Sequence, residues 1–275
     1  MGLLPGTFNP VKYRLVAIDL DGTLLNSENA VSERNTAALR AAQARGIVVA
    51  PATARPYPSA RRIFEGLGIE APVIASGGAS VRAADGSIIR EAALPKGAAR
   101  AVAEVCHGNG WGMTLATGDA MFFLAAEEPE WVGRTHRRVE FLQRPADVPA
   151  TGVLSVIING PEDAASLLGL EAWGETVQAH RARTNDQATL TTITGADAHK
   201  GHGLRALCAH FGVEPAFAVA MGDSEVDLPM FAVAGLAVAM GNAHEAIRAQ
   251  AHRVTASADE DGVAMVLESL VAGGE

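Results

Sequence analysis

The sequence predicts an α/β protein, with a doubly wound, Rossmann-like parallel-sheet core into which a smaller α+β domain is inserted. Short continuous apolar runs alternate with helix-like segments toward both ends of the chain, as strands buried on two faces require. Between them lies a stretch of hairpin-like alternation that holds all three tryptophans, Trp111, Trp131 and Trp173. Polar residues with chemistry to offer cluster where predicted core strands end, the edge at which open parallel sheets hold ligands.

The first strand is "LVAIDL" at 15–20, followed by a helix in "SERNTAALRAAQARG", with Ser32 as N-cap and Gly46 as the stop. "IVVAPATARP" reads as a second buried strand, "PSARRIFEGLG" as a helix, and "APVIASGGASV" as a third strand running into a Gly-Gly turn. In the middle, "MTLATGDAMFFLA" is a hairpin bending at Thr117–Asp119. Helices are expected in "GAARAVAEVCHGNG", "EEPEWVGRTHRRV" and "PEDAASLLGLEAWGE". After "ATLTTIT" the core pattern returns: helix in "HKGHGLRALCAHFG", strand in "AFAVAMGD", short helix in "LPMFAVAG", strand in "LAVAMGN". Helices in "AHEAIRAQA" and "DGVAMVLESLV" complete it. The core is therefore expected over 1–82 and 186–275, and the insert over 83–185.

At 275 residues the chain can bury a large core without disulfides or a structural metal. Its net charge of −9 argues against nucleic acid or an anionic membrane as the main partner. The two cysteines, Cys106 and Cys208, lie far apart in no CxxC spacing, which suits reduced thiols in the cytoplasm. The first residues, "MGLLPGTFNPVKYR", lack the apolar stretch of a signal peptide, and no run approaches the length of a membrane span.

Four polar elements fall on the predicted carboxyl edge: Asp19 with Asp21, Thr53, Lys200, and Asp223 with Asp227. Asp21-Gly22 is explained by a tight turn alone, but Asp19 ends an apolar strand, where a carboxylate is costly unless paired or metal-bound. Lys200 opens a predicted helix, where a cation opposes the macrodipole and an anionic partner is expected. His199 and His202 flank it in no metal-ligand spacing. "GDSEVD" is not a calcium loop of the EF-hand type, since the positions needing Gly and Glu hold Leu228 and Ala234. Asp223 follows its strand and can reach the same edge as Asp19. Two carboxylates that close repel unless a divalent cation lies between them, and magnesium, which prefers carboxylate oxygens and bridges to phosphates, fits.

With "DLDGTLLN", "ATAR", "HKGHGL", "MGDSEVDLPMF", "AMGNA" and "DEDGVA" in this order, the sequence resembles a haloacid dehalogenase superfamily phosphatase. It most resembles the Cof-type branch with a large α/β (C2-type) cap. The resemblance implies that Asp19 attacks phosphorus to form an aspartyl-phosphate and that Asp21 protonates the leaving alcohol, then activates water. It implies that Gly22, Thr53, Ala54, Lys200 and Asn242 contact the substrate phosphate, with Arg55 on the substrate side. Mg2+ would be held by Asp19, Asp223, Asp227 and the main-chain carbonyl of Asp21. Asn242 also fits a helix capping box with Glu245, and Arg181 and Arg183 share one face of a predicted strand of the insert. Three positions depart from the family pattern: Ala54 for a usual Gly, Val226 for a usual Asn, and "SGGA" at 76–79 for Asn-Gly-Ala.

The expected function is magnesium-dependent hydrolysis of a small phosphorylated metabolite, such as a sugar phosphate, by a cytoplasmic monomer or small homo-oligomer. A phosphomutase of the same superfamily and a non-catalytic phosphometabolite-binding regulator are the alternatives.

Overall fold

The computed structural model describes residues 12–128, 139–161, 168–183 and 189–273. Its strands in chain order are β1 (Leu15–Ile18), β2 (Val48–Pro51), β3 (Val73–Ala75), β4 (Ser80–Arg82), β5 (Ile88–Glu91), β6 (Gly112–Ala116) and β7 (Met121–Leu124). Then come β8 (Val139–Leu142), β9 (Ser155–Asn159), β10 (Val177–Arg183), β11 (Thr189–Gly195), β12 (Ala218–Gly222), β13 (Leu236–Ala239) and β14 (Arg253–Val254). The chain divides into two compact units, Met1–Ala50 with Cys208–Glu275, and Pro51–Leu207.

The first unit is built on a five-stranded sheet in the order β14-β13-β12-β1-β2, in which β1–β12, β12–β13 and β13–β14 pair in parallel. Every residue of β1, β12 and β13 is buried, so the alternation of an exposed strand is absent from the sequence and a continuous apolar run takes its place. Helix Glu33–Ala44 starts at Ser32, whose hydroxyl accepts from the Asn35 N–H at 3.0 Å. It buries Asn35, Ala38, Leu39 and Ala42, one face at helical spacing, and packs against helix Gly262–Ala272.

That second helix begins after Asp261, which sits in the left-handed region at φ 58° and makes no side-chain cap. Its first N–H groups need acceptors from elsewhere. Asn35 provides one across the helix pair: its side-chain oxygen accepts from the Ala264 N–H at 2.8 Å in a fully buried setting. An asparagine on an apolar helix face is thus the cap of a different helix.

In the second unit a six-stranded sheet runs β10-β11-β9-β6-β7-β8. Helix Ala98–Gly108 sets Val102, Ala103 and Cys106 into one apolar core with Met113, Leu115, Val156, Ile158 and Ile193. Burial pushes the Cys106 thiol up to about 12, which keeps it protonated and inert. The expected hairpin is present, closed by Thr117 N–H donating to the Ala120 carbonyl at 2.9 Å.

The predicted third core strand is β3, but it is hydrogen-bonded in a separate antiparallel sheet, β3-β4-β5. Its parallel link is one isolated bridge, Ala52 to Ile74. The strand is only three residues long because Ser76, at φ 49°, turns the chain back into β4. The helix expected over "AHEAIRAQA" is a single turn, Glu245–Arg248. Most of the expected "EEPEWVGRTHRRV" helix lies outside the described residues, and so does 162–167 of the helix expected over "PEDAASLLGLEAWGE". The rest of that segment holds the 3-10 turn Leu170–Thr176. No helix among the described residues is long and apolar enough to cross a membrane.

Replacing Asn35 by Ala strands the buried Ala264 N–H. The expected loss of unfolding free energy is ~1–3 kcal/mol, read as a lower urea midpoint at unchanged m-value.

Candidate active site

Register decides which side chains meet at the sheet edge of the first unit. Ile18 pairs with Met221, and the Asp19 N–H donates to the Met221 carbonyl at 2.9 Å. Because the strands are parallel, both point their carboxyl ends the same way, and Asp19 and Asp223 emerge side by side. Asp227 joins them: one carboxylate oxygen from each of the three lies within 4.8 Å of the others. Asp19 and Asp227 are buried and Asp223 is half-buried. Three acids in so little volume repel in a poorly solvated place. An all-oxygen donor set of this kind suits a hard divalent cation and not a thiophilic one.

Asp227 also holds the loop that carries Asp223. Its Oδ2 accepts from the Asp223 N–H, the Ser224 N–H and the Ser224 hydroxyl, at 3.0, 3.0 and 3.1 Å. Ser224 and Asp227 form a reciprocal capping box at the 3-10 turn Glu225–Asp227. The buried hydroxyl of Thr23 donates to Asp223 Oδ1 at 3.1 Å, fixing that carboxylate from the other side.

The segment after β1 folds back as a flap. Leu24 N–H donates to the Asp19 carbonyl and Leu25 N–H to that of Leu20, while Asp21 and Leu25 form an isolated bridge. Asp21 stands exposed at the flap's base. Gly22 is required twice over. Its φ of +79° disfavours any side chain, and a Cβ there would sit 2.6 Å from Asp223 Oδ2.

Asn242, three residues beyond the end of β13, is exposed and reaches this flap: its Nδ2 donates to the Gly22 carbonyl at 2.8 Å. Its Oδ1 accepts from the Ala258 N–H at 2.9 Å. The capping box expected with Glu245 does not form, because the helix begins one residue beyond His244, and His244 is its cap.

The second unit holds the remaining predicted site residues near one another. Thr53 is buried, and its hydroxyl accepts from the Arg55 N–H at 3.0 Å, while Ala54 between them is exposed. The Thr53 carbonyl accepts from Gly77 N–H at 2.9 Å, and the Arg55 carbonyl from Ser76 N–H at 2.8 Å. Ser76 therefore occupies a left-handed position that favours Asn, and its hydroxyl lies 3.3 Å from that of Ser155 in a buried pair. Gly78 backs onto the start of helix Lys200–Phe211, where a Cβ would lie 2.3 Å from the His199 carbonyl. Lys200, 1% exposed, opens that helix as expected. Arg90 clamps the junction, donating to the Gly78 and Asp197 carbonyls at 3.1 Å each.

His199 and His202 are neighbours in space, their rings 3.7 Å apart. The His199 Nδ1 accepts from the His202 N–H at 3.2 Å, so His199 serves as a cap for the Lys200 helix. Burial lowers the His199 pKa, with His202 and Arg90 adding to the effect against Asp197. Arg181 lies exposed on β10, and Arg183 ends the same strand.

Thr23 and Ser224, which brace the acids, lie inside motifs read for other residues. Ser224-x-x-Asp227 is a legible capping-box spacing, but Thr23 acts across 200 residues, a separation that no local pattern announces.

A sequence profile of the haloacid dehalogenase-like hydrolases matches residues 16–267. Phosphatase YwpJ of Bacillus subtilis is 31% identical, over 94% of this chain and 100% of its own. The 5-amino-6-(5-phospho-D-ribitylamino)uracil phosphatase YwtE of the same organism is 28% identical over 94% and 99%. A solved haloacid dehalogenase-like hydrolase from B. subtilis superposes with a TM-score of 0.78 at 26% identity, covering 93% of this chain and 99% of that one.

Gly22→Ala pushes a methyl group against Asp223 and is expected to weaken divalent-cation binding by about 10–100-fold, as measured by calorimetric titration with Mg2+. The unfolded chain protonates His199 near its ordinary value of 6.5, whereas the folded protein resists protonation until lower pH. Stability from this group is therefore complete above 6.5 and falls as the pH drops toward the lowered folded value. Urea midpoints are expected to fall between pH 7.5 and 5.5, in steps of roughly half a pH unit. In His199→Asn, which keeps a cap acceptor but does not titrate, the fall should be shallower.

Proposed function

The chain belongs to the haloacid dehalogenase-like hydrolase family, in its Cof-type branch, and on that premise we propose that it hydrolyses a small phosphorylated metabolite with Mg2+. The observation that carries the reading is the meeting of Asp19, Asp223 and Asp227, with Asp21 two residues beyond the first of them. One buried acid suits nucleophilic attack, while its exposed neighbour can exchange protons with a leaving group.

In this reading an Asp19 carboxylate oxygen attacks phosphorus in line, and the bond from phosphorus to the ester oxygen breaks as the new one forms. Asp21 gives its proton to the departing alkoxide, so that a neutral alcohol leaves. Asp21, now a carboxylate, takes a proton from the water that attacks the aspartyl-phosphate, and inorganic phosphate and free Asp19 result. Asp19, Asp223 and the Asp21 main-chain carbonyl, with Asp227 behind them, would hold Mg2+, which would supply positive charge to offset that of the attacking carboxylate and the phosphate. Asp227, already engaged by three donors on one oxygen, serves mainly to fix Asp223. The family motifs assign Thr53, Lys200 and the N–H groups of Gly22 and Ala54 to the phosphoryl oxygens, and Arg55 to the substrate side.

The substrate class proposed is a phosphorylated sugar or sugar-alcohol derivative, supported by the phosphoribityl substrate named for the YwtE relative. The segment 83–185 is proposed as the cap that selects it. Residence in the cytoplasm belongs to the same reading and is supported by two buried free cysteines.

Phosphate release is to be measured over a panel of sugar phosphates, ribityl phosphates and nucleotides, with Mg2+ or with EDTA. Turnover should require Mg2+, and Asp19→Asn should lose at least about a thousandfold in kcat, with acid-quenched wild-type enzyme carrying phosphate on Asp19. Release that survives Asp19→Asn, or ligand binding with no turnover across the panel, overturns the reading.

A further inference from the structure

The "DEDGVA" motif supplies no group to the chemistry described so far, and "AMGNA" only the phosphate contact of Asn242 that the resemblance implies, yet both converge on the flap that carries Asp21. Asn242 joins Gly22 to Ala258 through its two amide ends, at 2.8 and 2.9 Å. At the far end of the flap, Asp259 Oδ1 accepts from the Ser27 N–H at 2.8 Å. Two residues later, Asp261 Oδ1 accepts from the Ser32 hydroxyl at 2.5 Å.

The turn making these contacts is itself fixed. The Ser257 N–H and hydroxyl both donate to Glu260 Oε2, at 3.2 and 2.7 Å, and the Thr255 hydroxyl donates to the Gly262 carbonyl at 2.9 Å. A self-braced turn therefore grips the flap at both ends, one residue after Asp21 and again at Ser27.

We infer that the turn 257–262, acting through Asn242 and Asp259, positions the Asp21 flap for proton transfer, and that Asn242 is a positioning residue and not a ligand of the substrate phosphate. The inference rests on the reading of Asp21 as the acid. The Gly22 carbonyl that Asn242 holds belongs to the residue following Asp21, so a shift there carries the carboxyl group with it. Misplacing a catalytic group by about an ångström costs on the order of a hundredfold in rate. Because Asp21 also activates water in the later step common to all substrates, the leaving-group dependence is read in kcat/KM, which reports events up to departure of the alcohol. There the loss must depend on how badly the leaving group needs a proton.

The test compares an alkyl phosphate, whose alkoxide must be protonated as it leaves, with p-nitrophenyl phosphate, whose phenolate departs unaided. Asn242→Asp keeps the acceptor for Ala258 N–H and loses the donor to Gly22. Its kcat/KM for the alkyl substrate is expected to fall about 10–100-fold, with kcat/KM for p-nitrophenyl phosphate and inhibition by inorganic phosphate each changed less than about threefold. Ala258→Pro removes only the N–H that holds Asn242, at the first position of a 3-10 turn where proline is accommodated, and should give the same pattern in a folded protein. Asp259→Asn, which still accepts from Ser27, should retain what Asp259→Ala loses.

Equal losses of kcat/KM on both substrates, or phosphate inhibition weakened tenfold or more with the alkyl and aryl kcat/KM falling together, would overturn the inference. Asp21→Asn is run alongside. If that variant shows no preference for the aryl substrate, the assignment of Asp21 as acid fails first, and the positioning role fails with it.

Discussion

The acidic cluster of the candidate site depends on the parallel pairing of β1 with β12. That ladder places the carboxyl ends of two strands, distant in sequence, at one edge, so two aspartates are delivered together by main-chain hydrogen bonds and not by attraction between side chains. Left to themselves the two carboxylates would separate. The backbone overrules them, and the cost is offset by donors aimed at the acids: Thr23 at Asp223, and three groups of the 223–224 segment at Asp227. A hard divalent cation would complete the balance, since three carboxylate oxygens lie within 4.8 Å of one another.

The glycines at this edge follow from the same crowding. Gly22 lies so close to Asp223 that a single methyl group would displace the carboxylate. A flap that brings its main chain against the Asp223 carboxylate has no room for a side chain, and the Asp-Gly pair that looks like an ordinary turn signal is also a statement about volume.

Much of this is legible in the sequence. The strands of the parallel sheet read directly from continuous apolar runs, because burial on both faces erases alternation, and the acids that end those runs are conspicuous for lacking a packing reason. Ser32 as an N-cap is equally local. Interactions that act across the chain are not legible. Asn35 looks like a polar blemish on a helix face until its partner, Ala264, is known, and Asn242 fits a capping box with Glu245 until the helix is seen to start at His244. The third core strand misleads for a related reason: three apolar residues do not say whether their neighbour runs parallel or antiparallel, and the turn at Ser76 decides it. Ala54 and Val226 depart from the family pattern, and no hydrogen bond among the described residues offers a structural reason for either.

The pairing of β1 with β12 has a consequence for synthesis as well as for chemistry. Thr23 and its partner Asp223 are separated by 200 residues, so the most apolar strand of the chain leaves the ribosome long before its neighbours on that side exist. Until β12 and β13 emerge, β1 can pair only toward β2, with one edge and two faces open to solvent. Long-range closure of this kind slows folding and prolongs exposure of sticky intermediates. A chain that stops short of β12 therefore lacks both the ladder that seats β1 in the sheet and the acid that Asp19 is brought to meet.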